Sequence, residues 1–75
     1  MQGRQATPER RKRAHAWEAR RRQLGLSWDR QVIADRLGLS IRTLVRYEFG
    51  EAPGWYDYAL VGLWAEDRVN EKKAG

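Results

Sequence analysis

The sequence contains no cysteine, only one histidine and only one methionine. Disulfides and thiolate metal sites are therefore excluded, and a lone His15 does not make a metal site. The longest uninterrupted apolar run, 59–65, is far shorter than the ~20 residues of a membrane-spanning helix. No carboxylate pair, phosphate-binding loop or partnered histidine favours an enzyme, a cofactor or a small-molecule ligand. No apolar stretch follows the basic N-terminus, so it is not a secretory signal, and we expect a cytoplasmic protein.

What the sequence does contain is an uneven distribution of charge. Residues 1–25 hold eight Arg or Lys against two Glu, whereas residues 26–75 hold seven basic and eight acidic residues. A basic segment beside a compact domain is typical of proteins that bind polyanions, nucleic acid above all. The alternative is a solvated arginine-rich helix that keeps the protein soluble. A chain of 75 residues predicts one domain with a thin core, which pairing with a second copy would help to stabilise.

Capping residues and glycines predict where the first two helices begin and end. Thr7 and Pro8 are typical of a helix start, and Gly25 is typical of a left-handed helix end. Ser27 or Asp29 begins the second helix, since both are good N-caps. The predicted inward positions of the two helices are Ala14, Trp17, Arg21 and Leu24 in the first, and Val32, Ile33, Ala34 and Leu37 in the second.

A sharp turn at Gly38 separates the second helix from a third. On the third helix Leu44 and Tyr47 lie at core spacing, whereas Arg42 and Arg46 are four residues apart on the opposite face. Two short helices joined by such a turn, with arginines facing outward, suit the major groove of DNA.

The remainder of the chain completes an all-α prediction. No segment alternates with a period of two for long enough to be a strand, and a fourth helix follows the Gly/Pro-rich loop, from Trp55 to Arg68. We predict a single compact domain over 1–75 of four helices, or five. Its ends are a mobile basic arm at 1–6 and a frayed tail at 69–75.

The chain resembles the Cro/CI-type helix-turn-helix repressors of phages and bacteria over residues 20–63. The residues that carry the resemblance are Arg21-Arg22-Gln23-Leu24-Gly25-Leu26-Ser27, Ile33-Ala34-x-x-Leu37-Gly38-Leu39-Ser40 and Leu44-x-x-Tyr47-Glu48-x-Gly50. A short insertion near Trp28 and Asp29 departs from the family pattern. The resemblance implies a helix-turn-helix domain that represses transcription as a dimer on an inverted-repeat operator in double-stranded DNA, in a bacterial or phage-infected cell. A narrower resemblance is to small phage autorepressors, including those associated with anti-CRISPR operons.

The resemblance also implies roles for individual residues. It implies base contacts by Ser40, Ile41, Arg42 and Arg46, phosphate contacts by Arg30, Gln31 and Thr43, and a structural ion pair between Arg21 and Glu48. The guanidinium group of arginine can donate to O6 and N7 of one guanine at the same time. The alternative for Arg42 and Arg46 is that they contact only phosphates. For Ile41 the alternatives are packing on a thymine methyl group or on the edge of the core. For Thr43 they are contact with phosphate or with solvent. Ser40 is expected to act mainly as a helix cap.

Two basic residues outside this pattern are candidates for contact with the DNA backbone. Arg4 lies in the arm and is drawn to a narrow minor groove, and Lys12 lies in the run 10–13. For that run, a solvated helical face is the competing interpretation.

The fourth helix is apolar on more than one face, which predicts a homodimer interface. The predicted contacts are Trp55, Tyr58, Ala59, Gly62, Leu63 and Trp64. The alternative is that the monomer's own core takes up these side chains. Two other functions stay open: an antitoxin-like adaptor that binds a protein through this aromatic helix, and RNA binding through the arginine-rich N-terminus.

Overall fold

The structure, a computed structural model, describes residues 7–74, with side chains described for residues 7–71. Over this range it contains four helices and no strand: α1 (Pro8–Gln23), α2 (Arg30–Leu37), α3 (Ile41–Phe49) and α4 (Trp55–Ala74). The prediction of a small all-α domain of four helices is confirmed. The predicted arm at 1–6, and Arg4 with it, lies outside the described residues. Among the four helices, none has the combination of length and apolar character that a membrane crossing requires.

Side-chain caps begin the first three helices. Thr7, Asp29 and Ser40 each accept a hydrogen bond from a backbone N–H two or three residues further on, at 3.2, 2.9 and 3.1 Å respectively. Such a cap satisfies one of the N–H groups that a helix start leaves without a partner. Of the two candidate N-caps of α2, Asp29 is the one that caps the helix. The Ser27 hydroxyl instead accepts a hydrogen bond from the Asp29 N–H at 3.0 Å.

Glycines in the left-handed conformation end α1 and α2. Gly25 has φ +70° and Gly38 has φ +72°. The residue after each glycine, Leu26 or Leu39, returns a backbone hydrogen bond to the carbonyl five residues earlier, at 2.8 and 2.9 Å. This pairing turns the chain sharply and directs the leucine back toward the domain. Leu26 becomes a buried core residue, and Leu39 packs against the core.

The core lies where α2, α3 and α4 meet, with α1 packed beside it. Its buried members are Leu26, Ile33, Ala34, Leu44, Tyr56, Leu60 and Leu63. Trp17 of α1 packs edge-on against Tyr56, with 4.8 Å between ring centroids. Val32 was predicted to face inward but is 42% exposed. The reason is that the buried side of the short helix α2 consists of Ile33 and Ala34.

The fourth helix ends at Ala74, six residues beyond the predicted end, and so includes most of the segment predicted to be a frayed tail. The segment after Arg68 is rich in good helix formers and lacks Gly and Pro until Gly75. Contacts hold the turns of α4 just before this segment. The Arg68 guanidinium lies 5.0 Å from the Trp64 ring centroid, and Arg36 of α2 bonds Glu66 and Asp67 at 2.8 and 2.9 Å.

Candidate nucleic-acid interface

The third helix has one buried side and one exposed side. Leu44 and Glu48 are fully buried, whereas Ile41, Arg42 and Arg46 are exposed, Ile41 by 38%. Val45 and Thr43 are half-buried between the two sides. The exposed side therefore combines two long cationic side chains with an apolar one, as the sequence pattern predicted.

The start of this helix is held by two hydroxyl groups. The Ser40 hydroxyl accepts from the Thr43 N–H at 3.1 Å and donates to the Thr43 hydroxyl oxygen at 2.9 Å. Ser40 thus acts first as a cap. The Thr43 hydroxyl keeps its own hydrogen, which remains available to an external acceptor such as a phosphate oxygen.

The described arginines differ in whether they bond a carboxylate. Five of them bond carboxylates within the chain: Arg20 with Asp57 (2.7 Å), Arg21 with Glu48 (3.0 Å), Arg22 with Glu18 (3.2 Å), Arg30 with Glu48 (3.0 Å) and Arg36 with Glu66 (2.8 Å) and Asp67 (2.9 Å). Arg42 and Arg46 have no carboxylate partner among the described side chains. The only acidic residue of α3 itself is Glu48, which is buried. The exposed side of α3 is therefore cationic.

A buried polar cluster fixes this helix to the other three. It consists of Glu48 on α3, Arg21 on α1, Arg30 on α2 and Tyr56 on α4, and we call it the Glu48 cluster. Nη1 of Arg21 donates to both carboxylate oxygens of Glu48 at 3.0 Å, Nε of Arg30 donates at 3.0 Å, and the Tyr56 hydroxyl donates at 2.6 Å. The ion pair predicted between Arg21 and Glu48 is present.

Burial decides the chemistry of the Glu48 cluster. The Arg21 side chain is 1% exposed and that of Glu48 is fully buried. Burial, and then the hydrogen bond to Glu48, raise the pKa of the Tyr56 hydroxyl far above its usual value, so Tyr56 stays a neutral donor. The Arg21 Nε is buried without a hydrogen-bond partner among the described residues, although Nη2 donates to the Trp28 carbonyl at 3.4 Å. Since buried charges are costly unless paired, loss of any partner would strand the others.

Sequence reasoning did not find Arg30 and Tyr56 as members of this cluster. The prediction gave Arg30 a phosphate contact. In the structure its Nε bonds Glu48, and its guanidinium stacks 5.0 Å from the Phe49 ring centroid. No local signal identifies Tyr56, because the partner of a hydroxyl on another helix is decided by packing.

Gln31 also has partners inside the chain. Its side-chain amide donates to Asp35 at 2.9 Å, and its backbone N–H is capped by Asp29. At the start of α2 the carboxylate of Asp29 thus occupies the Gln31 N–H. A phosphate contact by Arg30 or Gln31 would require these internal bonds to break.

The run Arg10–Arg13 belongs to α1 rather than to an arm. All four side chains, Lys12 among them, are exposed and take part in no ion pair within the described part of the chain. Glu9 is the one acidic residue in the first turn. The first turns of α1 therefore form a second cationic surface.

The predicted interface residues of α4 divide between two faces. Trp55, Tyr58 and Trp64 are 47%, 78% and 36% exposed, Gly62 is exposed, and Ala59 is half-buried. Leu63 is only 7% exposed and belongs to the monomer core, which corrects its assignment to the interface. The reason is helical spacing, since Leu63 follows Leu60 by three residues on the side that faces the core.

Comparison of the chain with family models, curated proteins and solved structures gives no match.

Proposed function

We propose that this protein is a sequence-specific repressor that binds double-stranded DNA through α3, as a homodimer on an inverted repeat. The observation that carries the proposal is the division of the arginines. Five arginines of α1 and α2 bond carboxylates, whereas Arg42 and Arg46 project from α3 with no carboxylate partner among the described residues. The resemblance to Cro/CI-type repressors supports the same function, which is non-enzymatic and belongs to the cytoplasm of a bacterial or phage-infected cell.

Arg42 and Arg46 have the spacing that base recognition needs. Four residues of helix span ~6 Å along the axis, so the two side chains reach different base pairs of a groove in which pairs are stacked every ~3.4 Å. Each guanidinium can donate two hydrogen bonds to one guanine, which discriminates against a wrong base by ~1–3 kcal/mol. Ile41 beside them can contact a thymine methyl group.

Rigid presentation makes such contacts selective. Ser40 fixes the first turn of α3, and the Glu48 cluster fixes its last turn to α1, α2 and α4. A helix held at both ends loses little conformational entropy when its arginines bind bases.

Two copies would place their third helices in successive major grooves, ~34 Å apart. Repression follows if the inverted repeat overlaps a promoter, because the bound dimer excludes polymerase. The cationic first turns of α1 would add backbone contacts that depend on salt and not on sequence.

The test is selection from a random duplex library with the full-length protein at near-physiological salt. We expect an enriched inverted repeat whose half-site centres lie one helical turn apart. Arg42→Ala should relax the base preference at one position of each half-site. Arg22→Ala is the matched control, because it removes the same charge from a side chain that is 70% exposed on α1.

Three results would contradict the proposal. If Arg42→Ala and Arg22→Ala gave the same enriched sequence, α3 would not read bases. Binding without enrichment, displaced by structured RNA, would favour RNA recognition through the N-terminal segment. Absence of any DNA binding would favour the adaptor function, to which the 78% exposure of Tyr58 is suited.

A further inference from the structure

The fourth helix has a second apolar face that the domain leaves uncovered. Trp55, Tyr58, Gly62 and Val69 are all exposed. At 3.6 residues per turn they lie within about 60° of one another, on the side of the helix away from Leu60. Ala59 and Ala65 border this face, which we call the outer face of α4.

The residues of the outer face are arranged symmetrically about Gly62. When two identical helices pack antiparallel across a two-fold axis, residues equally far before and after the axis oppose each other. With the axis at Gly62, Ala59 faces Ala65 of the second copy. In the same register Tyr58 faces Glu66, and Trp55 faces Val69. Small residues thus meet at the centre, and a large side chain meets a smaller one toward each end.

We propose that the outer face of α4 packs antiparallel against the same face of a second copy, with Gly62 on the two-fold axis, and that this pairing becomes stable only on DNA. The inference rests on the DNA-binding function proposed above. This register differs from the interface predicted from the sequence. It includes Ala65, Glu66 and Val69, and it excludes Leu63 and Trp64.

Gly62 supports this register independently. A glycine inside a helix is destabilising relative to alanine, yet nothing in the monomer requires one at this position. Its φ is not positive, and a Cβ placed there would meet no atom within 4 Å. Close approach of a second helix backbone explains the missing side chain, because the absence of Cβ lets two helices touch at their axis of symmetry.

The polar groups of the outer face also match in this register. The Tyr58 hydroxyl can donate to Glu66 of the second copy. The Glu66 side chain is 63% exposed and uses only Oε1 in its bond to Arg36, so Oε2 is available. Antiparallel packing further sets the helix dipoles in opposite directions, which is the favourable arrangement.

The size of the outer face explains why DNA is needed. An aromatic side chain buries about 150–250 Å² when fully covered, so Trp55 and Tyr58 at their exposures, together with Val69, offer roughly 300–400 Å² per copy. A standard stable interface buries ~800 Å² per partner. The outer face is therefore too small to hold two copies together in free solution. Two half-sites on one duplex would compensate by raising the effective concentration of the second copy from micromolar to about millimolar.

Cysteine cross-linking tests the register, because the chain contains no native cysteine. Gly62→Cys places two thiols face to face on the axis, at a spacing suited to a disulfide. We expect it to form a covalent dimer under mild oxidation at least about tenfold faster when the selected duplex is present. An equal mixture of Ala59→Cys and Ala65→Cys should cross-link faster than either variant alone. Ala19→Cys, exposed on α1, is the matched control.

The outcomes separate this inference from the proposed function. Cross-linking of Gly62→Cys no faster than that of Ala19→Cys, in concentrated protein as well as on DNA, would overturn the register. A sedimenting dimer at micromolar concentration without DNA would overturn the dependence on DNA. If no DNA sequence is enriched, the proposed function fails, while the cysteine pattern in concentrated protein still supports or refutes the register.

A second set of variants tests the same axis through charge. Tyr58→Glu places a carboxylate against Glu66 of the second copy and should abolish cooperative binding to the two half-sites. Tyr58→Lys places an ammonium group there instead and should preserve it. Equal loss of cooperativity in the two variants, with both folded by circular dichroism, would contradict the proposal.

Discussion

Each carboxylate oxygen of Glu48 accepts hydrogen bonds from two other helices. Oε1 accepts from Arg21 and Arg30, and Oε2 accepts from Arg21 and Tyr56. Two guanidinium groups share one carboxylate, so the cluster keeps one positive charge, which the 30%-exposed side chain of Arg30 brings into contact with water. The geometry makes Glu48 the single residue on which the orientation of α3 depends most.

Glu48→Gln should therefore be strongly destabilising. It leaves two arginines without their carboxylate, and breaking a buried pair in this way costs ~3–5 kcal/mol. A domain of this size has roughly 4–11 kcal/mol of stability in total, so much of it would be lost. Urea unfolding measures the effect. Glu18→Gln is the control, since it breaks a surface pair with the 70%-exposed Arg22 and should cost at most ~1 kcal/mol. Equal effects of the two variants would mean that the cluster adds nothing beyond a surface pair.

Tyr56 makes stability depend on pH at alkaline values. Removing its hydrogen bond to a charged acceptor, in Tyr56→Phe, should cost ~1.5–3 kcal/mol at neutral pH. Burial holds the pKa of Tyr56 in the native state far above the usual value of 10.0. The unfolded chain loses the tyrosine proton first as pH rises past that usual value, so it binds fewer protons than the native state and stability falls.

The Tyr56 hydroxyl thus makes its full contribution to the free energy of unfolding below the usual tyrosine pKa, and this contribution declines at higher pH. The difference in unfolding free energy between the wild type and Tyr56→Phe should be constant from neutral pH to about pH 9 and should narrow by about pH 11. Urea titrations at these values measure it. A difference that stayed constant throughout would show that the hydroxyl is not held in its protonated form.

At the scale of elements, glycines act in two opposite ways. Gly38 ends α2 at φ +72°, a conformation that costs other residues ~1–2 kcal/mol. Gly62 lies inside α4 with open space around it. An alanine at this position should increase the free energy of unfolding by ~0.5–1 kcal/mol. Gly38→Ala should therefore lower the midpoint of thermal unfolding by ~4–8 °C or more, and Gly62→Ala should raise it by a few degrees. A shift of the same sign for both would be inconsistent with these two roles.

The helices themselves were largely predictable. Caps and left-handed glycines are local signals, so Thr7, Ser40, Gly25 and Gly38 identified most helix boundaries correctly. The end of α4 was not predictable in this way, because its last turns contain good helix formers in a charged context that also suits a frayed tail. In the structure the helix continues through this segment to Ala74.

At the scale of the whole molecule, the first turns of α1 and the exposed side of α3 are both cationic surfaces. They should contribute differently to DNA binding. Lys12→Ala removes an unspecific phosphate contact, so affinity should fall about equally for selected and scrambled duplexes, and the slope of log K against log salt should flatten by about 0.9. Arg42→Ala should weaken the selected duplex more than the scrambled one.

Salt titrations on both duplexes measure this difference. Identical behaviour of Lys12→Ala and Arg42→Ala on the two duplexes would mean that neither residue reads sequence. The proposed division of work between the two cationic surfaces would then be wrong.

The sequence by itself determined the four helices, the turn between α2 and α3 and the outward arginines of α3. These follow from spacing and from the backbone preferences of nearby residues, which are local. Only the tertiary structure decided which arginines bond carboxylates, that Tyr56 and Arg30 join Glu48, and that Leu63 faces the core while Tyr58 does not. Each of these depends on contact between residues far apart in the chain. A helix that is apolar on two faces cannot reveal which face its own domain will cover.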